Sequence, residues 1–259
     1  MIKAKYTVAM ESIIGTRDEQ QDCAFTQVDN LTAIAVVCDG MGGLESGRTA
    51  SAATIAKFKE LHEKKDPAET YPAFFLKAVD ILDEFVFHLK DENGERISAG
   101  TTLVAAAIES NNLFWLSIGD SRLYILRGNE FARVTRDHNY FLRLDQMRRE
   151  KEISESQYQA ESVRGESLIS FVGVGGIEVM DLSNAPFNLL PNDTILLTTD
   201  GLYKTLSDEE IKHCLYIEDV NESITALINT ANEKALPFQD NTTCVIIRCN
   251  EEVFPNEAY

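Results

Sequence analysis

Apolar residues in this chain recur with two periods. The runs "LTAIAVVC" (31–38), "TTLVAAAI" (101–108), "LFWLSI" (113–118), "RLYILR" (122–127), "DTILLTT" (193–199) and "TTCVIIRC" (242–249) are short, and several are apolar on both faces. That pattern predicts strands of a covered sheet. A further strand-like run follows Asp22, and "LYILRGNEFARV" predicts a hairpin turning at Gly128-Asn129. Other stretches follow the helical period. "SGRTASAATIAKFKELHEK" predicts a helix capped by Ser46, with Ala53, Ile55, Ala56, Phe58 and Leu61 near one face. "AFFLKAVDILDEFVFHLK" (73–90) carries a stripe of Phe75, Val79, Leu82, Val86 and Leu89. "SDEEIKHCL" opens with Ser207 and Glu210 at capping-box spacing, and "VNESITALINTANEKA" (220–235) is again amphipathic.

Two long helices follow the 31–38 strand, and the next strands arrive in close succession with no helices between them. That order predicts an α+β domain of antiparallel sheet flanked by helices, not a doubly wound nucleotide-binding fold. No repeat or linker divides the chain, so one domain is expected over 1–250. The polar stretch around 141–165 reads as a flap-like surface excursion and 251–259 as a short tail. Between residues 136 and 151, Arg136, Arg143, Arg148, Arg149 and Lys151 concentrate positive charge. They form either a solvated charged face or a patch beside a binding cleft.

Charge narrows the functional classes. A formal net charge of −18 opposes a nucleic-acid partner, which needs a basic face, and opposes docking on an anionic membrane surface. The N-terminus lacks a signal-peptide core and no run approaches a membrane span, so a cytoplasmic location is expected. The five cysteines form no CxxC pair and read as reduced thiols.

Candidate chemistry lies where strands meet aspartates: Asp39 in "VVCDGMGG", Asp120 in "LSIGDSR", Asp200 in "LLTTDGLY" and Asp240 in "PFQDNTTCVII", with Asp22 in "RDEQQDCAF". Any one of these alone reads more readily as a turn than as a ligand, because Asp-Gly is a common turn dipeptide. Together they place several carboxylates on one rim, where each would raise the others' pKa unless a cation intervenes. Oxygen ligands without His or Cys select a hard ion, Mg²⁺ or Mn²⁺. Cys38 adjoins Asp39, but neighbouring strand residues point to opposite faces, which makes it a core residue. Glycine after Asp39 and after Asp200 would let the backbone turn tightly and leave the Gly40 carbonyl free to face an ion.

The series "RDEQQDCAF", "VVCDGMGGLESG", "SAGTTLVAAAI", "WLSIGDSRLYILRG", "VTRDHN", "LLTTDGLY" and "QDNTTCVII" resembles, in order, the motifs of the type 2C metal-dependent Ser/Thr protein phosphatases, the PPM family, in its bacterial form. The resemblance runs from Arg17 to about Val245. It implies a four-layer α-β-β-α sandwich with a metal cleft at one end. It implies hydrolysis of phosphoserine and phosphothreonine on proteins by a metal-activated water, with no phosphoenzyme. Residue by residue, Asp39 would bridge two core ions, with the Gly40 carbonyl on one of them, and Asp200 and Asp240 would complete the other. Asp120 would share a third, weaker ion with Asp200, Asp22 would reach the ions through water, and Arg17 would grip the substrate phosphate. Partners would be phosphorylated proteins, set against a Ser/Thr kinase.

Three positions depart from the family pattern or sit beside it. Met41 stands where many eukaryotic relatives have a histidine proposed as general acid, so the leaving-group proton must come from elsewhere. Gln21 replaces an outer carboxylate. His138, within "RDHN", is expected to be structural. Two alternatives are a catalytically silent phosphoprotein-binding regulator, which would be expected to lack one of Asp39, Asp200 or Asp240, and another two-metal phosphohydrolase.

Overall fold

The structure, a computed structural model, describes residues 5–250; the expected tail at 251–259 lies outside them. Its first half comprises β1 (Tyr6–Ile13), β2 (Asp22–Val28), β3 (Thr32–Gly42), α1 (Leu44–Glu63), α2 (Tyr71–Phe87), β4 (Ala99–Thr101), β5 (Leu103–Glu109), β6 (Asn112–Ile118), β7 (Arg122–Arg127) and β8 (Glu130–Arg133). There follow α3 (Tyr140–Arg149), α4 (Glu155–Glu161), β9 (Asp181–Leu182), β10 (Phe187–Asn188), β11 (Thr194–Thr198), α5 (Asp200–Tyr203), α6 (Asp208–Leu215), α7 (Val220–Glu233) and β12 (Thr242–Cys249).

Two antiparallel sheets result, one ordered β1-β12-β11-β7-β8 and the other β10-β6-β5-β3-β2, with β4 added to β3 and β9 to β6. Strand alternation sorts side chains into three apolar layers. On β3, Ala33, Ala35 and Val37 enter the space between the sheets with Ile195, Leu197, Val245 and Ile247. Ile34, Val36 and Cys38 point the other way, onto Phe58 of α1 and Phe75, Val79, Leu82 and Val86 of α2. Beyond the other sheet, Leu196, Cys244 and Ile246 pack against Ile211 of α6 and Ile224, Leu227 and Ile228 of α7. The layers are therefore α-β-β-α, as expected, and Cys38 is a core residue. All five cysteines are free thiols, and no described helix is long and apolar enough to cross a membrane.

Several elements differ from the sequence expectation. α1 starts two residues before Ser46, with Gly43 as its N-cap. Its buried face runs through Ala50, Ser51, Thr54 and Phe58, while Ala56 is exposed. Small side chains let this helix lie close to the sheet, and the Ser51 hydroxyl donates to the Gln21 carbonyl at 2.6 Å. β1 has no counterpart in the periodicity because "YTVAMESI" mixes polar and apolar positions; it forms by pairing along its whole length with β12. The predicted capping box closes at Ser207 and Glu210. Residues 140–164 fold as α3, α4 and a 3-10 turn. There Arg148 is paired with Asp145 at 3.1 Å, and just before α3 Arg136 is held by Asp181 through its Nε at 2.9 Å. Those two charges are thus neutralised locally.

Asp181 ties this region to the sandwich. It accepts the Arg136 backbone N–H at 2.7 Å and lies 3.5 Å from Nε2 of fully buried His138, whose Nδ1 accepts the Gly119 N–H. That bond puts the ring proton on Nε2, facing Asp181, a structural role as expected. Burial alone would raise the Asp181 pKa; His138 and Arg136 more than offset it and hold it well below the usual range. Asp181→Asn is therefore expected to cost about 2 kcal/mol, lowering Tm by roughly 5 °C. A depressed carboxylate stabilises above its unfolded-state pKa and loses that contribution as pH falls toward its folded value. The Tm gap between wild type and variant should accordingly shrink below about pH 4, as thermal melts across pH would record.

Candidate metal centre

All five aspartates singled out in the sequence come to one end of the sandwich. Asp22 and Asp39 are directly opposed across β2 and β3. Asp120 sits in the β6–β7 connection, Asp200 opens α5 at the end of β11, and Asp240 leads into β12. Asp39, Gly40, Asp120, Asp200 and Asp240 line a single cleft of about 540 Å³, together with Arg17, Glu19, Gln21, Met41, Thr102, Glu166 and Lys204. Asp22 lies just behind it, buried, with Oδ2 accepting the Thr199 hydroxyl at 2.9 Å.

Electrostatics shows how closely the acids crowd. Asp39 is driven well above the usual carboxylate range, first by burial and then by Asp22, Asp200, Asp120 and Asp240 in turn. Burial likewise raises Asp22 to about 7; hydrogen bonds from Thr243 and Thr199 oppose this, and Asp200 and Asp240 add to it. Asp120 rises to about 6, again by burial first and Asp200 second. Like charges at this spacing out of water leave the ionised forms poorly compensated.

Two cations partly answer them. Arg17 Nη2 donates to Asp240 Oδ2 at 2.6 Å, and Lys204 Nζ lies 2.8 Å from Asp200 Oδ2. Even so, Asp22 Oδ1 and Asp200 Oδ1 are buried without a hydrogen-bond partner, a costly state for a carboxylate oxygen. Among the described residues no three His, Cys, Asp or Glu side chains converge as a ready-made cage. The donor set fits a hard cation by its chemistry and by these unpaired oxygens, with Asp200 offering its free Oδ1 and provided Asp240 turns from Arg17.

The glycines serve a purpose other than turning. β3 runs on through Gly40 to Gly42, and neither Gly40 nor Gly201 has a positive φ. A Cβ at Gly40 would stand 2.1 Å from the Gly47 carbonyl oxygen of α1. Close backbone approach is the requirement there.

Three residues that hold the site carried no independent sequence signal. Asn241 staples the Arg17 loop, its amide donating to the carbonyls of Ile14 at 2.8 Å and Glu19 at 3.0 Å while its oxygen accepts the Gln21 N–H. The Thr102 hydroxyl accepts the Asp39 N–H at 2.9 Å, and Thr199 holds Asp22. Asn241 and Thr199 each adjoin a motif aspartate, which is the only hint available. Lys204 could have been found from its i+4 spacing to Asp200 on a helical turn.

The family model described as Protein phosphatase 2C matches residues 12–239. The serine/threonine phosphatase stp of Listeria welshimeri is 27% identical over 237 residues, covering 90% of each chain. The structure of the Mycobacterium tuberculosis serine/threonine phosphatase PstP/Ppp superposes with a TM-score of 0.75 at 27% identity, over 95% of this chain and 99% of that one. The PstP catalytic domain in complex with 2 manganese ions gives a TM-score of 0.70 at 26% identity, over 95% and 98%.

Proposed function

The chain belongs to the protein phosphatase 2C family and is a serine/threonine protein phosphatase, and from that premise we propose that Asp39, the Gly40 carbonyl, Asp200 and Asp240 hold two divalent ions, Mg²⁺ or Mn²⁺. Asp22 backs them through water. The observation that carries this reading is the mutual crowding of Asp22, Asp39, Asp200 and Asp240 around one cleft, with Asp22 Oδ1 and Asp200 Oδ1 buried and unpaired. A relative of this fold is described with 2 manganese ions, which supports it further.

When bound, such ions supply a water of lowered pKa and neutralise phosphoryl charge. The rest is the work of the chain. The side chain of Arg17 is 60% exposed, and it reaches the cleft through Asp240. Asp240 would hold an ion in place of Arg17, and the guanidinium fork would then be free to take two phosphoryl oxygens of the substrate. Met41 lines the cleft and has no proton to give, so the leaving serine or threonine oxygen takes its proton from another donor. No covalent intermediate on sulfur is available: burial raises every cysteine thiol above its ordinary pKa, which disfavours a thiolate nucleophile. Substrates are phosphoproteins made by a Ser/Thr kinase that this enzyme opposes.

The test is phosphate release from a phosphothreonine peptide with Mn²⁺, with Mg²⁺ and with chelator. Turnover restored by either ion and absent with chelator is expected. Turnover that persists in excess chelator would refute the assignment.

A further inference from the structure

Asp200 divides its two carboxylate oxygens between different surroundings. Oδ1 is buried and unpaired, whereas Oδ2 holds the Lys204 ammonium at 2.8 Å. The same ammonium lies 3.2 Å from Glu166 Oε2, in the segment that returns from the α3–α4 excursion. Local geometry sets this position, because Lys204 is one helical turn beyond Asp200 and its N–H donates to the Asp200 carbonyl at 2.9 Å.

The neighbouring residue fixes Asp120 to the same turn. Tyr203 donates its hydroxyl to the Asp120 carbonyl at 3.0 Å. Its ring lies 3.4 Å from the Arg122 guanidinium carbon, and Arg122 is itself clamped by Asp137 through two hydrogen bonds of 2.9 and 2.7 Å. One rigid turn therefore carries Lys204 and braces Asp120, the two carboxylate-facing elements of this corner. The Lys204 ammonium thus stands between two carboxylates, Asp200 at 2.8 Å and Glu166 at 3.2 Å.

We propose that Lys204 is a built-in cation that takes the place of a third divalent ion between Asp120 and Asp200, so that this chain works with two bound ions. The inference rests on the two-ion reading above. A divalent ion approaching Asp200 Oδ2 would meet a fixed positive charge at hydrogen-bond distance from its own ligand. The Lys204 side chain is 42% exposed, so solvent weakens this repulsion, but at hydrogen-bond distance from the shared ligand it still disfavours a second cation. An ammonium has three donors and one charge, enough to hold the second oxygen of Asp200 while Oδ1 stays free for the core pair.

Counting bound Mn²⁺ on the full chain, by calorimetric titration and by the electron paramagnetic resonance of free Mn²⁺, tests this without an activity readout. Wild type should bind two ions and show no third up to millimolar Mn²⁺. Lys204→Gln should gain a third, with affinity for that ion raised at least tenfold, and Lys204→Gln combined with Asp120→Asn should lose it again. Lys204→Arg, which keeps the charge, should stay at two. A third ion in wild type that disappears with Asp120→Asn would overturn the proposal, as would a Lys204→Gln variant that melts like wild type and still binds two. Absence of Mn²⁺ from every variant would overturn the two-ion reading and this one with it, and that result is distinct from a count of three.

Discussion

Asp39→Asn should remove at least about 10³-fold of phosphopeptide turnover and leave a folded protein. Asn keeps the shape of the side chain and leaves the hydrogen bond from the Asp39 N–H to Thr102 in place. What would disappear is the anionic ligand proposed for the two ions, and a loss of about 4 kcal/mol of transition-state stabilisation corresponds to that factor. The thermal response should separate this cause from simple damage. Burial and then four neighbouring acids raise the Asp39 pKa, so the metal-free wild type carries a charge that opposes folding. A carboxylate raised in the folded state lowers stability as pH rises through the range between its unfolded and folded values. With chelator at neutral pH, Asp39→Asn should therefore melt at or above the wild-type temperature. With Mn²⁺ the order should reverse, because only wild type gains the stabilisation that comes from binding an ion in the folded state alone. Turnover within tenfold of wild type would end the case for Asp39 as the shared ligand.

How far these features could be read in the sequence depended on whether a local pattern carried them. The two-sided apolar runs declared β3, β5, β6, β7, β11 and β12, because alternating side chains of a buried strand must satisfy a core on each face. β1 was silent for the opposite reason. As an edge strand it pairs with β12 alone, and Met10 and Glu11 need no burial, so only the tertiary partner defines it. The α1 face was legible in part: Ile55, Phe58 and Leu61 pack on the core as expected, but Ser51 and Thr54 are polar by type yet buried by position. The site aspartates were legible as a set through their motif order, while the groups that orient them were not. Thr102 and Asn241 act on Asp39 and the Arg17 loop through backbone hydrogen bonds to residues 63 and 220 positions away, a separation at which no spacing rule operates. The glycines were read as serving a tight turn and a close approach to an ion; the approach is instead to neighbouring backbone, which is invisible until that backbone is placed.

Gly201 offers the sharpest test of that steric account. It follows Asp200 in α5, and a Cβ added there would stand 2.1 Å from the Asn241 carbonyl oxygen and 2.5 Å from the Thr242 hydroxyl. The first obstacle is backbone, which cannot rotate away as a side chain end could. Gly201→Ala must therefore push α5 and the segment before β12 apart. That overpacking is expected to cost about 3 kcal/mol, a fall in Tm of roughly 10 °C for a domain of this size. Helix propensity alone predicts the opposite sign, since alanine is favoured over glycine in a helix by roughly 1 kcal/mol; the measured direction thus decides between local preference and contact. The same displacement separates Asp200 from Asp240, the two proposed ligands on either side of the forced gap. Turnover should fall by at least about 10²-fold, since misplacing reacting groups by about 1 Å has that effect, and Mn²⁺ affinity should fall with it. A Gly201→Ala protein with raised Tm and undiminished Mn²⁺ binding would show that the backbone here yields, and that the close approach is not what the glycine secures.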